Sequence, residues 1–139
     1  MSGTRLRLTI GPYDLSAHLE VEVAPKSCEA LLTLLPMRRS LLHARWSGEC
    51  GWAPLGPVPF SLPSEAAIHR PAPGQILLYA GEVSEPELLV PYGAAAFACK
   101  HGPLSGNHVI TVEDGADALA QIGQDLLWRG ALPIEIALS

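Results

Sequence analysis

The sequence predicts a mainly-β protein, a closed antiparallel barrel of about eight strands capped by two helices. Three observations carry that reading. Apolar and polar residues alternate with period two over long stretches. The 13 glycines and 13 prolines are scattered through the chain, punctuation that suits short strands and turns. Only two segments have helical spacing, one early and one late, whereas a doubly wound sheet needs regular β-α alternation.

The elements follow in order. In TRLRLTI, Leu6, Leu8 and Ile10 alternate with Arg5, Arg7 and Thr9. After Gly11-Pro12, YDLSAHLEVEV sends Leu15, Ala17, Leu19, Val21 and Val23 to one face and Asp14, Ser16, His18, Glu20 and Glu22 to the other. These are the two strands of a half-buried antiparallel pair. In APKSCEALLTLLP, Pro25 suits a first helical turn, Glu29 complements the helix N-terminus and Pro36 stops the run. A helix is therefore expected near residues 25–35, with Ala30, Leu31, Leu34 and Leu35 as its apolar stripe. MRRSLLHARWSG reads as a strand, and GWAPLGPVPFSLP as a loop or broken edge strand. QILLYA, PELLVPYG and AAAFA are short strands, and the loop KHGPLSGNH leads into the strand HVITVE. In DGADALAQIGQDLLWRG, Asp114 or Asp117 caps a second helix, expected near residues 115–128, and Gly130 ends it. LPIEIAL closes the order as a strand.

Composition narrows the class. A chain of 139 residues argues for one domain, residues 1–139. Hydrophobic residues make up 48% and charged residues 17%, enough for a real core. Net charge is −5 with no basic cluster beyond Arg38-Arg39, which argues against nucleic acid and anionic membranes as partners. The three cysteines, Cys28, Cys50 and Cys99, are odd in number and widely spaced, so neither a disulfide framework nor a structural zinc site is indicated. No stretch reaches the roughly 18 apolar residues of a membrane span, and MSGTRLRLTI lacks the apolar run of a signal peptide. A cytoplasmic protein is expected. High apolar content and low charge in a small domain also favour a homodimer.

Several blocks carry a family resemblance. VEVAPKSCEALLTLLP looks like the cyclophilin segment in which a strand runs into a helix. HARWSGECGW, PSEAAIHRPAPGQILLYAG, SEPELLVPYG and FACKHGPLSGNHVITV, in that order, resemble an uncharacterised bacterial cyclophilin-like family. The resemblance spans roughly residues 5 to 137. It implies a cyclophilin-like eight-stranded barrel closed by two helices, and no particular reaction. Prolyl isomerases of that fold follow their catalytic arginine with a Phe-x-x-Gln-Gly-Gly-Asp run, where this chain has WSGECGW after Arg45.

The candidate site residues cluster around these blocks. On a regular strand His43, Arg45 and Ser47 share one face and Trp46 the other. Arg45 offers a planar fork for a carboxylate, Trp46 a pocket floor, and Gly48 and Gly51 leave room beside them. Glu49, Glu65 and Glu85 are the carboxylates nearest the blocks. His43, Glu49 and His108 are the acid–base candidates. Tyr92 and Phe97, beside Gly93 and small alanines, fit a pocket wall, and Asn107 and His108 enter a strand from a loop. LSGNHV does not place a nucleophile, an oxyanion donor and a base around one carbonyl, because four adjacent residues cannot. His43, Glu49 and His108 lack the spacing of a metal site, and no cofactor motif is present.

The expected function is binding or transformation of a small, anionic metabolite in a barrel-side pocket. Arg45, Trp46, Glu49, Glu65, Tyr92, Phe97, Asn107 and His108 are its binding residues, with Arg45, Trp46, Glu49, Asn107 and His108 converging on one concave surface. A prolyl isomerase or peptide-binding module, and an accessory subunit of a multi-subunit hydrolase, are the alternatives. No residue stands out as a nucleophile.

Overall fold

The computed structural model describes residues 4–139. Strands β1 (Arg5–Ile10) and β2 (Tyr13–Leu19) form the expected hairpin, with Leu8 opposite Leu15. Helix α1 (Pro25–Leu32) follows, then β3 (Met37–His43) and β4 (Gly48–Pro54). Next come the short β5 (Ala67–Ile68), β6 (Gln75–Tyr79) and β7 (Glu87–Ala95). A small hairpin, β8 (Ala98–Cys99) and β9 (Gly102–Pro103), precedes β10 (Gly106–Val112). The single 3₁₀ turn Ala116–Ala118 leads into α2 (Leu119–Arg129), and β11 (Ala131–Leu138) is last.

Eight strands close on themselves in the order β2-β1-β11-β3-β4-β7-β6-β10, and β10 pairs back to β2 through Ile110 opposite Leu19. All these pairings are antiparallel. The mainly-β barrel with two helices read from the alternation is therefore the architecture of the chain. Closure removes the exposed edges that short strands otherwise leave.

Period two fills the barrel. Leu6, Leu8, Ile10, Leu15, Ala17 and Leu19 are all at most 2% exposed, and they meet Ile134, Ile136, Leu78, Leu88 and Val90 in one cluster. Both helices plug it: Cys28 and Leu31 from α1, Leu119, Ile122 and Leu126 from α2. Three local expectations change. Glu29 lies beyond the first turn of α1, and Glu65 takes its place there: its carboxylate accepts from the backbone N–H of Lys26 at 3.2 Å and of Ser27 at 2.8 Å. Neither Asp114 nor Asp117 caps α2 through its side chain, and Asp114 instead accepts from the Ser16 hydroxyl at 3.2 Å. GWAP is no edge. It belongs to β4, an interior strand, with Pro54 tolerated because it is the last residue of the ladder.

Gly123 sets the approach of α2 to the barrel. A Cβ there would run into the ring of Tyr92 on β7, whose hydroxyl is tied to His43 Nε2 at 2.8 Å. Gly123→Ala is accordingly expected to lower stability by about 1–3 kcal/mol through overpacking, outweighing the roughly 1 kcal/mol alanine gains in a helix. Urea denaturation checks this; an unchanged or raised midpoint would show that Tyr92 yields freely.

Candidate functional site

The wall formed by β4, β7 and β6 is apolar on both faces. Leu78, Leu88 and Ala53 pair across it and point into the barrel. The next row, Leu77, Leu89 and Trp52, points outward. A second core covers that outward row: Ala44, Cys50, Leu77, Leu89, Phe97 and Leu104 pack together beneath the chain from Ala95 to Gly106. Phe97 is 1% exposed and meets Tyr79 edge-on, with ring centres 5.5 Å apart.

Beside this second core lies a cleft of about 340 Å³. Three chain segments frame it. The β3–β4 turn supplies Arg45 and Trp46, the β8–β9 turn supplies Lys100 and His101, and the β6–β7 loop supplies Val83, Ser84 and Glu85. Trp52, Leu89, Cys99 and Glu87 form the deeper wall. Each frame segment is fastened. The Ser47 hydroxyl donates to Ala98 O at 3.0 Å and accepts from Ala98 N–H at 2.9 Å, which staples the turn bearing Arg45 to the hairpin bearing Lys100. The Tyr79 hydroxyl oxygen accepts from the N–H groups of Glu82, Val83 and Ser84 at 3.2, 2.9 and 3.3 Å, pinning the opposite rim.

The charges in the cleft are segregated. The Arg45 guanidinium carbon lies 5.9 Å from the centre of the Trp46 ring, and Trp46 is 56% exposed. Glu85 and Glu87 occupy the facing side. Among the described residues, none of Arg45, Lys100, Glu85 and Glu87 has an ion-pair partner within 4.0 Å. Glu87 is the unusual member, a carboxyl only 6% exposed on a strand whose next residues are Leu88, Leu89 and Val90. Burial, and then the charge of Glu85, push it up to about 8, so it is mostly protonated at neutral pH. The same dry wall pushes the Cys50 thiol up to about 12.

Of the residues read from the sequence, Arg45 and Trp46 line this cleft, and Glu85 lies at its rim. The others are dispersed. β3 ends at His43, so the strand alternation that aligned it with Arg45 stops there; His43 turns to Tyr92 near α2. Glu49 sits at a bulge in the β4–β7 ladder, and its carboxylate accepts from the Ala94 N–H at 2.8 Å. Asn107 and Glu65 form a bolt between α1 and the chain ahead of β5. Asn107 donates to Ser27 Oγ and to Pro63 O, both at 2.8 Å, and accepts from Glu65 N–H at 3.1 Å. Asn107 touches a separate recess of about 180 Å³.

His108 belongs to a further group on the outer face of β10 and β2. A bulge between His108 and Ile110 brings His108 and Thr111 to the same side, with Nε2 and Oγ1 2.9 Å apart. Thr111 also donates to Glu20, whose carboxylate bonds His18 at 2.9 Å. Burial lowers the pKa of His108. Burial opposes ionisation of Glu20, but Thr111 and the two imidazoles outweigh it and hold the carboxyl below its usual range. The five residues expected on one concave surface thus fall into four places. Glu87, Lys100, His101 and Trp52 are cleft residues that the sequence reading did not single out. The one available signal was an acidic residue directly preceding LLVPY, a position where an apolar residue belongs.

Residues 6–138 match the family described as Protein of unknown function (DUF3830), and the chain belongs to that family. No curated protein matches the sequence. Among solved structures the fold is similar to that in the structure of McbB in complex with tryptophan, at a TM-score of 0.68 and 18% identity. That similarity covers 96% of this chain and 44% of the McbB chain, so this chain spans less than half the length of that protein. No helix among the described residues is long and apolar enough to cross a membrane.

Glu87 also couples stability to pH. Folding raises its pKa from 4.5 to about 8, so its contribution is fully present below the unfolded value and is lost as pH rises through the folded one. Between about pH 5 and pH 9 the protein is expected to lose on the order of 3 kcal/mol relative to Glu87→Gln, which carries no such charge. Urea midpoints of both proteins across that range test this. Parallel pH profiles would mean that the carboxyl is solvated.

Proposed function

We propose that the protein binds a small carboxylate-bearing organic molecule in the cleft between the β3–β4 turn and the β8–β9 hairpin. The observation that carries this reading is Arg45. Its guanidinium lies over an exposed indole at a concave site, without a carboxylate within 4.0 Å to neutralise it among the described residues. A planar fork above an aromatic face suits a carboxylate attached to a flat apolar body. Trp52 and Leu89 extend the apolar surface inward. The volume falls in the lower part of the roughly 300–1,000 Å³ range of small-molecule sites. McbB, whose fold is similar over this chain and whose structure is described as a complex with tryptophan, supports the reading. The resemblance of the sequence blocks to cyclophilin-like proteins supports placing the barrel among them, with Arg45 on the turn that follows β3. Leu127 and Trp128, 55% and 82% exposed at the end of α2, favour the expected homodimer, which light scattering at micromolar concentration tests.

Isothermal titration with tryptophan and indole-3-propionate is the direct test. Arg45→Lys is expected to weaken binding about tenfold, because an ammonium cannot reproduce the two parallel hydrogen bonds. Trp46→Ala should weaken it through lost packing while leaving its salt dependence intact. Binding that is indifferent to both substitutions, or absent for both compounds, overturns the proposal.

A further inference from the structure

As an ionised group, Glu87 has no use in a site that recognises only an anion. It is buried on a strand of apolar residues, it faces the cleft, and none of the side-chain hydrogen bonds among the described residues reaches its carboxyl. An unpartnered buried carboxyl destabilises a fold, and a leucine or glutamine would remove the electrostatic part of that cost. A ligand that supplies the missing partner accounts for it. The partner's charge follows from the surroundings. Glu85 stands on the loop just ahead of Glu87 and raises its pKa, so that side of the cleft disfavours a second anion. Arg45, Lys100 and His101 stand on the other two frame segments, none paired to either glutamate. Two poles of opposite sign therefore share one cavity without touching.

We infer that the cleft takes a zwitterion of amino-acid type, its carboxylate on Arg45 and Lys100, its ammonium on Glu87 and Glu85, and its apolar side chain against Trp46 and Trp52. This rests on the carboxylate reading above and adds the second pole. A single small molecule bearing both charges bridges the gap that the protein keeps open. An ammonium group brings three donors and a full charge to a carboxyl that lacks both. The exchange is balanced. Glu87, mostly neutral when the cleft is empty, gives its proton to solvent as the ammonium arrives, and a carboxylate–ammonium pair replaces the acid. The groups facing Glu87 are Glu85 on its own side, Cys50 on β4, and Cys99, Lys100, His101 and Arg45 on the remaining elements.

Three probes that share one ring separate the two poles: phenylalanine, 3-phenylpropionate without the ammonium, and 2-phenylethylamine without the carboxylate. Calorimetry of the full chain near pH 7 is expected to show phenylalanine binding about tenfold more tightly than either of the others. Titration in buffers of different ionisation enthalpy should show release of about one proton with phenylalanine and none with 3-phenylpropionate. Glu87→Gln, which preserves shape, should abolish the tenfold gain and the proton release and leave 3-phenylpropionate within about twofold. Glu85→Gln should reduce the gain only in part, and a thermal melt of each variant confirms its fold. If 3-phenylpropionate binds as tightly as phenylalanine, or if Glu87→Gln leaves their ratio unchanged, the zwitterion inference falls while Arg45-dependent binding of the acid still stands. If none of the three binds, both readings fall.

Discussion

The constraint on which the rest of the structure depends is that β7 and its neighbours are buried on both faces. A closed barrel of this size needs only one dry face per strand, and the outer face normally meets water. Here the inner row of β7, Leu88 and Val90, belongs to the barrel core, and the outer row, Leu89 with Leu77 and Cys50, must be covered as well. The segment from Ala95 to Gly106 provides that cover, anchored by Phe97 and Leu104. A covering layer laid across a curved wall cannot seal it along its whole length. The cleft opens where the cover ends, and its deeper wall inherits the dryness of the core. Glu87 owes its raised pKa to that geometry more than to any charge beside it.

This explains which parts of the molecule were legible in the sequence. Strands with one wet face announce themselves by alternation, as β1, β2 and β11 do, although β2 ends at Leu19, before the Val21 and Val23 that the pattern also assigned to it. Both helices were readable, although α1 ends at Leu32 and leaves Leu34 and Leu35 of its expected stripe outside it, and Gly130 was readable from its position at the end of α2. Strand β4 was harder because its two glycines and Pro54 imitate a loop; its neighbours in the sheet, which the sequence does not reveal locally, make it an interior strand. The candidate site was legible only in part. Arg45 and Trp46 drew notice through side-chain chemistry at a glycine-rich turn, and that logic is local. Lys100 and His101 sit on a turn that reads as ordinary solvent-facing loop, and only the fold of the hairpin over β7 brings them into one cleft with Arg45.

The polar residues that misled share a physical role. Glu49, Glu65 and Asn107 each satisfy backbone groups that regular structure leaves orphaned. Glu49 serves an N–H beside the bulge in the β4–β7 ladder, Glu65 the first N–H groups of α1, and Asn107 the carbonyl of Pro63 together with an N–H at Glu65. Buried or half-buried backbone must find such partners somewhere. A barrel rich in proline and glycine creates many of these vacancies, so it recruits polar side chains that look like ligands in one dimension. His43 and His108 instead bond side-chain hydroxyls, those of Tyr92 and Thr111.

Glu87 is distinguished by the opposite condition, and the frame of the cleft shows why that condition persists. Opposite charges on segments free to move would collapse into contact, since pairing relieves both. Two fastenings prevent this. Ser47, 4% exposed, holds the Arg45 turn to the hairpin through both a donated and an accepted hydrogen bond, so the cationic side is a single unit. Tyr79 gathers three successive N–H groups of the β6–β7 loop onto one oxygen and keeps Glu85 on the far rim. The ring of Tyr79 is itself wedged against Phe97, so the rim is tied to the second core and not to solvent. Charges held apart by packing are already oriented when a ligand arrives, which lowers the ordering cost of binding. The separation of the two poles is thus a property of the same double-sided burial that creates the cleft, and it makes a bridging ligand the simplest way for both to be satisfied.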